Sequence, residues 1–189
     1  MDATDVDERA RTMIRIARLT FLLWGDIGRG MELAAAAFAV SACVREDAVV
    51  LIRGLGLAMP DNMAVLDHCI LNLEELGDWK DALALGHGLL KLSKNGSSRL
   101  RTALRMTKDA THVDGADAEA AYFFQKAYSA DPEAWLVEVE HADWILKYAF
   151  SSPLFAETLL SLLAQCGARK QYMDVRMALA GGVAGNKQT

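Results

Sequence analysis

Cysteine, proline and basic charge are all scarce in this chain. Cys43, Cys69 and Cys166 are the only cysteines in 189 residues, and no CxxC spacing occurs. An odd, sparse set excludes a disulfide framework and reads as reduced thiols in a cytosolic protein. The three prolines stand at 60, 132 and 153, each beside a natural break. The net charge is −5, which argues against a general nucleic-acid binder, since such proteins carry a basic face. A long run of low charge, residues 30–44 with Glu32 inside it, is rich in alanine. It is too short to span a bilayer and reads as a tightly packed buried helix, so no membrane insertion is expected. The opening MDATDVDERAR lacks the basic start and apolar stretch of a secretory signal. Alternating β-branched runs bounded by hairpin turns are missing too, which excludes a sheet protein.

Catalytic signatures are equally scarce. HExxH, GxxxxGK[ST], GxGxxG and GxSxG do not occur. Of the four histidines, at 68, 87, 112 and 141, His68 adjoins Cys69. Neighbours on a helix point about 100° apart, so the pair does not readily share a metal. "RGLGLA" at 53–58 has two glycines but no preceding strand, and reads as close helix packing instead of a phosphate cradle. Paired acids such as Glu74/Glu75 and Glu138/Glu140 read as solvated or groove-lining. No catalytic residue, metal or cofactor is expected.

What the chain has is helical periodicity. Apolar residues recur at three and four, which predicts helices over about 6–24, 28–44, 46–58, 62–76, 79–94, 98–112, 116–130, 133–149, 153–166 and 169–180. The breaks carry capping chemistry. "MPDN" at 59–62 offers Asp61 and Asn62 as N-caps, and "LGDWKDAL" at 76–83 sets Gly77 for a positive φ and Asp78 for a cap. "SADPEA" at 129–134 puts Pro132 in a first helical turn, where its missing N–H costs nothing. Helices of this length joined by short turns lie antiparallel to their neighbours. Arg9, Arg11, Arg15 and Arg18 give the first helix a basic character, read as a solvated face over a buried stripe, with docking to an acidic partner or a membrane surface as the alternative.

One stretch shows a repeat. "AAYFFQKAYSADPEA" at 120–134 spaces Ala120, Phe124, Ala127 and Pro132 as A-x3-F-x2-A-x4-P, with Gly115 upstream. It resembles the second helix of a tetratricopeptide repeat (TPR), a unit of about 34 residues. A second unit, 63–96, carries Gly77, Asp78, Trp79 and Ala82, similar to the family's turn, but departs at Gly86, Leu89 and Lys94. A third, 29–62, has Ala36, Ala39, Ala48 and Pro60, with Cys43 in place of the turn glycine. A fourth from Trp135 is weaker, and the register slips by four residues, placed here between 96 and 101. The resemblance implies an all-α fold of stacked antiparallel helix pairs, a TPR-like right-handed solenoid of about 9–10 helices. It divides the chain into an N-terminal helix or cap (1–28), repeats (29–150), capping helices (151–181) and a flexible tail (182–189). The sequence leaves open whether the first helix is a cap or part of a degenerate repeat using "WGDIGRG".

The same resemblance implies a partner surface on the first helix of each pair. Transferred to this chain, its positions are Leu33, Ala37 and Val40; Asp67, Leu71 and Glu74; Arg105, Asp109 and His112; and Leu136, Val139 and Asp143, with Gly30, Ala64, Thr102 and Leu146 completing the sets. Such a mixed apolar and acidic groove suits an amphipathic or basic protein segment. A small, mildly acidic helical array is similar to the TPR chaperones of bacterial type III secretion, which keep an export substrate or apparatus component soluble. The expectation is therefore a non-enzymatic, cytoplasmic chaperone or adaptor for protein transport, able to form a homodimer. A permanent scaffold subunit and a helical ligand pocket are the alternatives.

Overall fold

The computed structural model describes residues 3–185, which form eleven α-helices with no strand among them. They divide into two compact units, 1–92 and 93–189. The fold is all-α, and its repeating element is the antiparallel helix pair.

Unit 1 contains α1 (Ala3–Leu19), α2 (Ile27–Val40), α3 (Arg45–Ala58), α4 (Met63–Glu75) and α5 (Trp79–Leu92). The last turn of α1 widens into a π-helix, Thr20–Trp24, before the chain reverses at Gly25. Phe21 in that turn lies flat on α2. The contact is possible because residue 30 is glycine: a Cβ there would sit 2.5 Å from the Phe21 ring. Asp26 caps α2 through Arg29 N–H, and the Ser41 hydroxyl donates to Asp7 at 2.6 Å, tying the end of α2 to α1. Helix α2 lies against α1 more extensively than against α3, so the pairing of α2 with α3 implied by a 29–62 repeat is the lesser contact.

The α4–α5 turn follows from its residues. Gly77 has φ 71°, and its N–H donates to Glu74 O while Asp78 N–H donates to Leu73 O. These are the two bonds that close a helix C-terminus around a left-handed residue. Asp78 then caps α5 by accepting from Asp81 N–H, and Asn62 caps α4. Arg45 Nε donates to Leu76 O at 2.8 Å and satisfies the end of α4 from α3. Gly56 does what "RGLGLA" suggested: it is buried, and α3 approaches Leu85 of α5 so closely that a Cβ would fall 2.6 Å from Leu85 Cδ1. Gly54, in contrast, faces open space.

Unit 2 contains α6 (Gly96–Ala110), α7 (Asp117–Ala130), α8 (Pro132–His141), α9 (Asp143–Ser151), α10 (Pro153–Gln165) and α11 (Arg169–Gly185). Helices α6 and α7 form its tightest pair. Ala120 and Ala127 are fully buried, as the repeat pattern requires of residues that let two helices approach. Phe124 fills the space beyond them, with its ring 5.1 Å from Trp135 of α8 and 4.8 Å from Phe155 of α10. Pro132 and Pro153 each open a helix just after a capping side chain, Asp131 and Ser152.

Three features depart from the sequence expectation. The extra length lies within α6 and the turn after it. Helix α6 starts 33 residues after α4, and the extra length comes later, in two more helical residues (15 against 13) and a six-residue turn at 111–116. The expected helix over 133–149 is two helices, broken at Ala142 (φ −103°, ψ 85°), which lets α8 pack on α7 while α9 packs on α10 and α11. The α10–α11 turn copies the α4–α5 turn: Gly167 has φ 72°, and Ala168 and Gly167 donate to Leu163 O and Ala164 O. Of the tail expected at 182–189, residues 182–185 continue α11 and 186–189 lie outside the described residues.

Candidate binding cleft

Unit 2 contains a cleft of about 390 Å³ between the α8–α9 break and α11. Its floor is apolar: Ile145 of α9 and Leu159 and Leu163 of α10, all buried. One wall is Val139, Ala142 and Leu146, and the other is Val175 with the stem of Lys170. The break at Ala142 shapes the space by turning the chain around one end of the cleft. Gln171 Nε2 donates to Glu140 Oε1, linking the two walls. The rim carries three acids, Glu140, Asp143 and Asp174, against one Lys170. An apolar floor with an acidic rim can take an aliphatic or aromatic side chain from a segment whose flanking residues are basic.

Three of the four positions assigned to the last repeat line this cleft, namely Val139, Asp143 and Leu146; Leu136 is half-buried outside it. Of the remaining residues, Glu140, Ala142 and Ile145 fall inside the aligned region but off its groove positions, whereas Leu159, Leu163, Lys170, Gln171, Asp174 and Val175 were invisible to repeat alignment because they come from α10 and α11, beyond it. The signal that could have found them is Gly167, which repeats the Gly77 turn.

The other assigned positions lie elsewhere. In unit 1, Asp67, Leu71 and Glu74 share one outer stripe of α4, with Leu71 exposed between the two acids. Leu33 and Val40 of α2 are half-buried, but Ala37 is fully buried and presents nothing to a partner. On α6, Asp109 and Thr102 are buried inside the packed protein, Arg105 is half-buried and His112 is exposed in the turn. Aligned from the helix start, the corresponding stripe falls one turn earlier, on Ser98, Arg101, Arg105 and Lys108, which face solvent wholly or in part. That stripe is basic, whereas the one read from the sequence was mixed.

The titratable groups with shifted affinities are structural. Tyr148 of α9 donates its hydroxyl to Asp117 Oδ1 at 2.7 Å, anchoring the start of α7. That bond, with a further one from Ser152, holds the Asp117 carboxyl below its ordinary range. Burial, then the hydrogen bond to Asp117, drives the Tyr148 hydroxyl up. Cys69 is buried against Met31, and desolvation raises its thiol to about 11, while Cys43 is exposed. Among the described residues no group of three or more His, Cys, Asp or Glu is placed to hold a metal ion, and no helix is long and apolar enough to cross a membrane.

No family model and no curated protein matches the chain. Among solved structures, it is similar to a Podosopora anserina protein of nearly identical TPR-like repeats, with 12% identity over 97% of this chain and 99% of that one and a TM-score of 0.41.

Proposed function

We propose that this protein is a non-enzymatic interaction module whose α8–α11 cleft holds a basic, amphipathic segment of a partner protein. The observation that carries the reading is the combination of a buried aliphatic floor with an acidic rim in one cleft. An apolar anchor seated between Val139, Leu146 and Val175, over the floor that Ile145, Leu159 and Leu163 build, supplies the affinity, and Glu140, Asp143 and Asp174 select Lys or Arg beside it. Within this reading, the partner is a client kept soluble while its apolar segment is covered, which is the role of a cytoplasmic chaperone. Type III export is the narrower setting for which the size and acidity of the chain argue.

Selection of random sixteen-residue peptides on the immobilised full-length protein tests this. The enriched peptides should pair one or two large apolar residues with flanking Lys or Arg. Val139→Arg should abolish their binding, and Asp143→Lys with Asp174→Lys should shift the selection towards acidic peptides. Leu71→Arg, on the outer stripe of α4 in unit 1, should leave it unchanged. Enrichment of acidic peptides by the wild-type protein, or binding indifferent to Val139→Arg, would remove the cleft as the site.

A further inference from the structure

The end of α1 carries the largest cluster of apolar side chains left in water. Leu22, Leu23 and Trp24, consecutive in the π turn, are 74, 68 and 72% exposed, and Ile16 and Leu19 lie about half exposed on the preceding turns. Scattered surface leucines need no explanation, but a contiguous patch of this kind marks a contact surface. It is built, not frayed: Phe21 in the same turn is pinned over Gly30, and Gly25 N–H closes the turn on Phe21 O at 3.2 Å. A π turn is itself rare and is frequent at functional sites.

Charge identifies the occupant. Between residues 9 and 25 the chain carries four arginines and no acid, in a protein of net charge −5. Arg9, Arg11, Arg15 and Arg18 are all exposed. Glu8, 3.9 Å from Arg15, and Asp26, just past the turn, offset only part of this charge, so a second copy would still bring one net positive tip against another, and self-association through the tip is disfavoured. The geometry points the same way. Successive residues of a helical turn project in different directions, so Leu22, Leu23 and Trp24 splay around the end of the rod. A flat protein surface covers one or two of them, whereas the headgroup layer of a bilayer closes around all three. Tryptophan and arginine are also the side chains that sit best at that depth.

We infer that the α1 tip docks the protein on an anionic phospholipid surface, with Leu22, Leu23 and Trp24 seated among the headgroups and the arginines on lipid phosphates. No helix spans the membrane in this arrangement; the protein stays peripheral and reversible. The site lies in unit 1 and is independent of the cleft in unit 2.

Flotation of the full-length protein with vesicles is the test. Wild type should float with phosphatidylcholine vesicles containing a third phosphatidylserine and stay behind with pure phosphatidylcholine. Replacing Arg11, Arg15 and Arg18 by Gln should lower the partition coefficient on the order of a hundredfold. Leu22→Ser, Leu23→Ser and Trp24→Ser together should abolish flotation with circular dichroism unchanged. A milder variant gives a second readout: the emission of Trp24, taken as wild type minus Trp24→Phe, should shift to the blue only with anionic vesicles. Absence of flotation at low salt, equal flotation of the serine variant, or a dimer in sedimentation that the serine variant abolishes without any vesicle binding would each overturn the inference. The last result would assign the tip to a second copy instead.

Discussion

Two glycines two residues apart in α3 should respond oppositely to the same substitution. Gly54 and Gly56 both sit in a helix interior, where glycine is about 0.8–1 kcal/mol worse than alanine. At Gly54 a new Cβ meets nothing within 4 Å, so Gly54→Ala should stabilise unit 1 by about 0.5–1 kcal/mol. At Gly56 the same Cβ falls 2.6, 2.9 and 3.3 Å from Leu85 Cδ1, Cδ2 and Cγ. Leu85 is itself buried, so its whole isobutyl group must shift into packed surroundings. Overpacking of this kind costs about 1–3 kcal/mol. Set against the same gain in helix propensity, Gly56→Ala should destabilise by about 1 kcal/mol, and the two variants should differ by about 1–3 kcal/mol. Urea unfolding followed by far-ultraviolet circular dichroism measures the difference directly, provided the m-value is unchanged. Adding Leu85→Val to Gly56→Ala should recover part of the loss, as expected of coupled neighbours. If both glycine variants stabilise equally, the close approach of α3 to α5 is not what residue 56 is for.

Thiol labelling should separate the cysteines: Cys43 should react with a disulfide reagent at the rate of a free thiol, and Cys69, buried with its thiol raised to about 11, only as fast as the protein opens. Equal rates would place Cys69 in a mobile region. The Asp117–Tyr148 bond predicts a pH dependence with a definite sign. Because the folded carboxyl lies below its ordinary value, its contribution is present above pH of about 4 and is lost as pH falls through the folded value. Tyr148→Phe should flatten that part of the stability profile, and an unchanged acid limb in the variant would show that the bond is not formed in solution.

The readable parts of the fold were those in which one residue demands one local conformation. Gly77 and Asp78 announce a turn because a positive φ followed by a capping carboxylate has few other uses, and the turn is there, bond for bond. Pro132 announces a helix start for the same reason. Phe124 was legible because the small residues around it leave a large side chain only one place to go. The break at Ala142 was not legible. Alanine is a strong helix former, and what splits the helix is packing on different partners either side, α7 before and α10 and α11 after. The break between α10 and α11 was placed, but its likeness to the α4–α5 turn went unread because Ala168 and Tyr172 stand where Asp78 and Ala82 stand, so only its glycine survives as a signal.

The binding surface was harder to read than the fold because it depends on register at single-residue resolution. A four-residue shift along a helix moves a stripe by one turn and rotates it by about 40°. On α6 that is enough to exchange the buried Thr102 and Asp109 for Arg101 and Lys108, and with them the sign of the charge offered to a partner. Net charge suffers a related loss of information. A value of −5 argues against a general nucleic-acid binder, yet it averages an acidic cleft rim in unit 2 with an arginine-bearing, apolar tip in unit 1. The tip was legible as composition, since the arginines were plain, but a helix read over 6–24 gives no reason for Leu22, Leu23 and Trp24 to face water. The reason is that Phe21 alone is drawn onto α2 at Gly30, and the three residues after it are carried past the end of the packed surface.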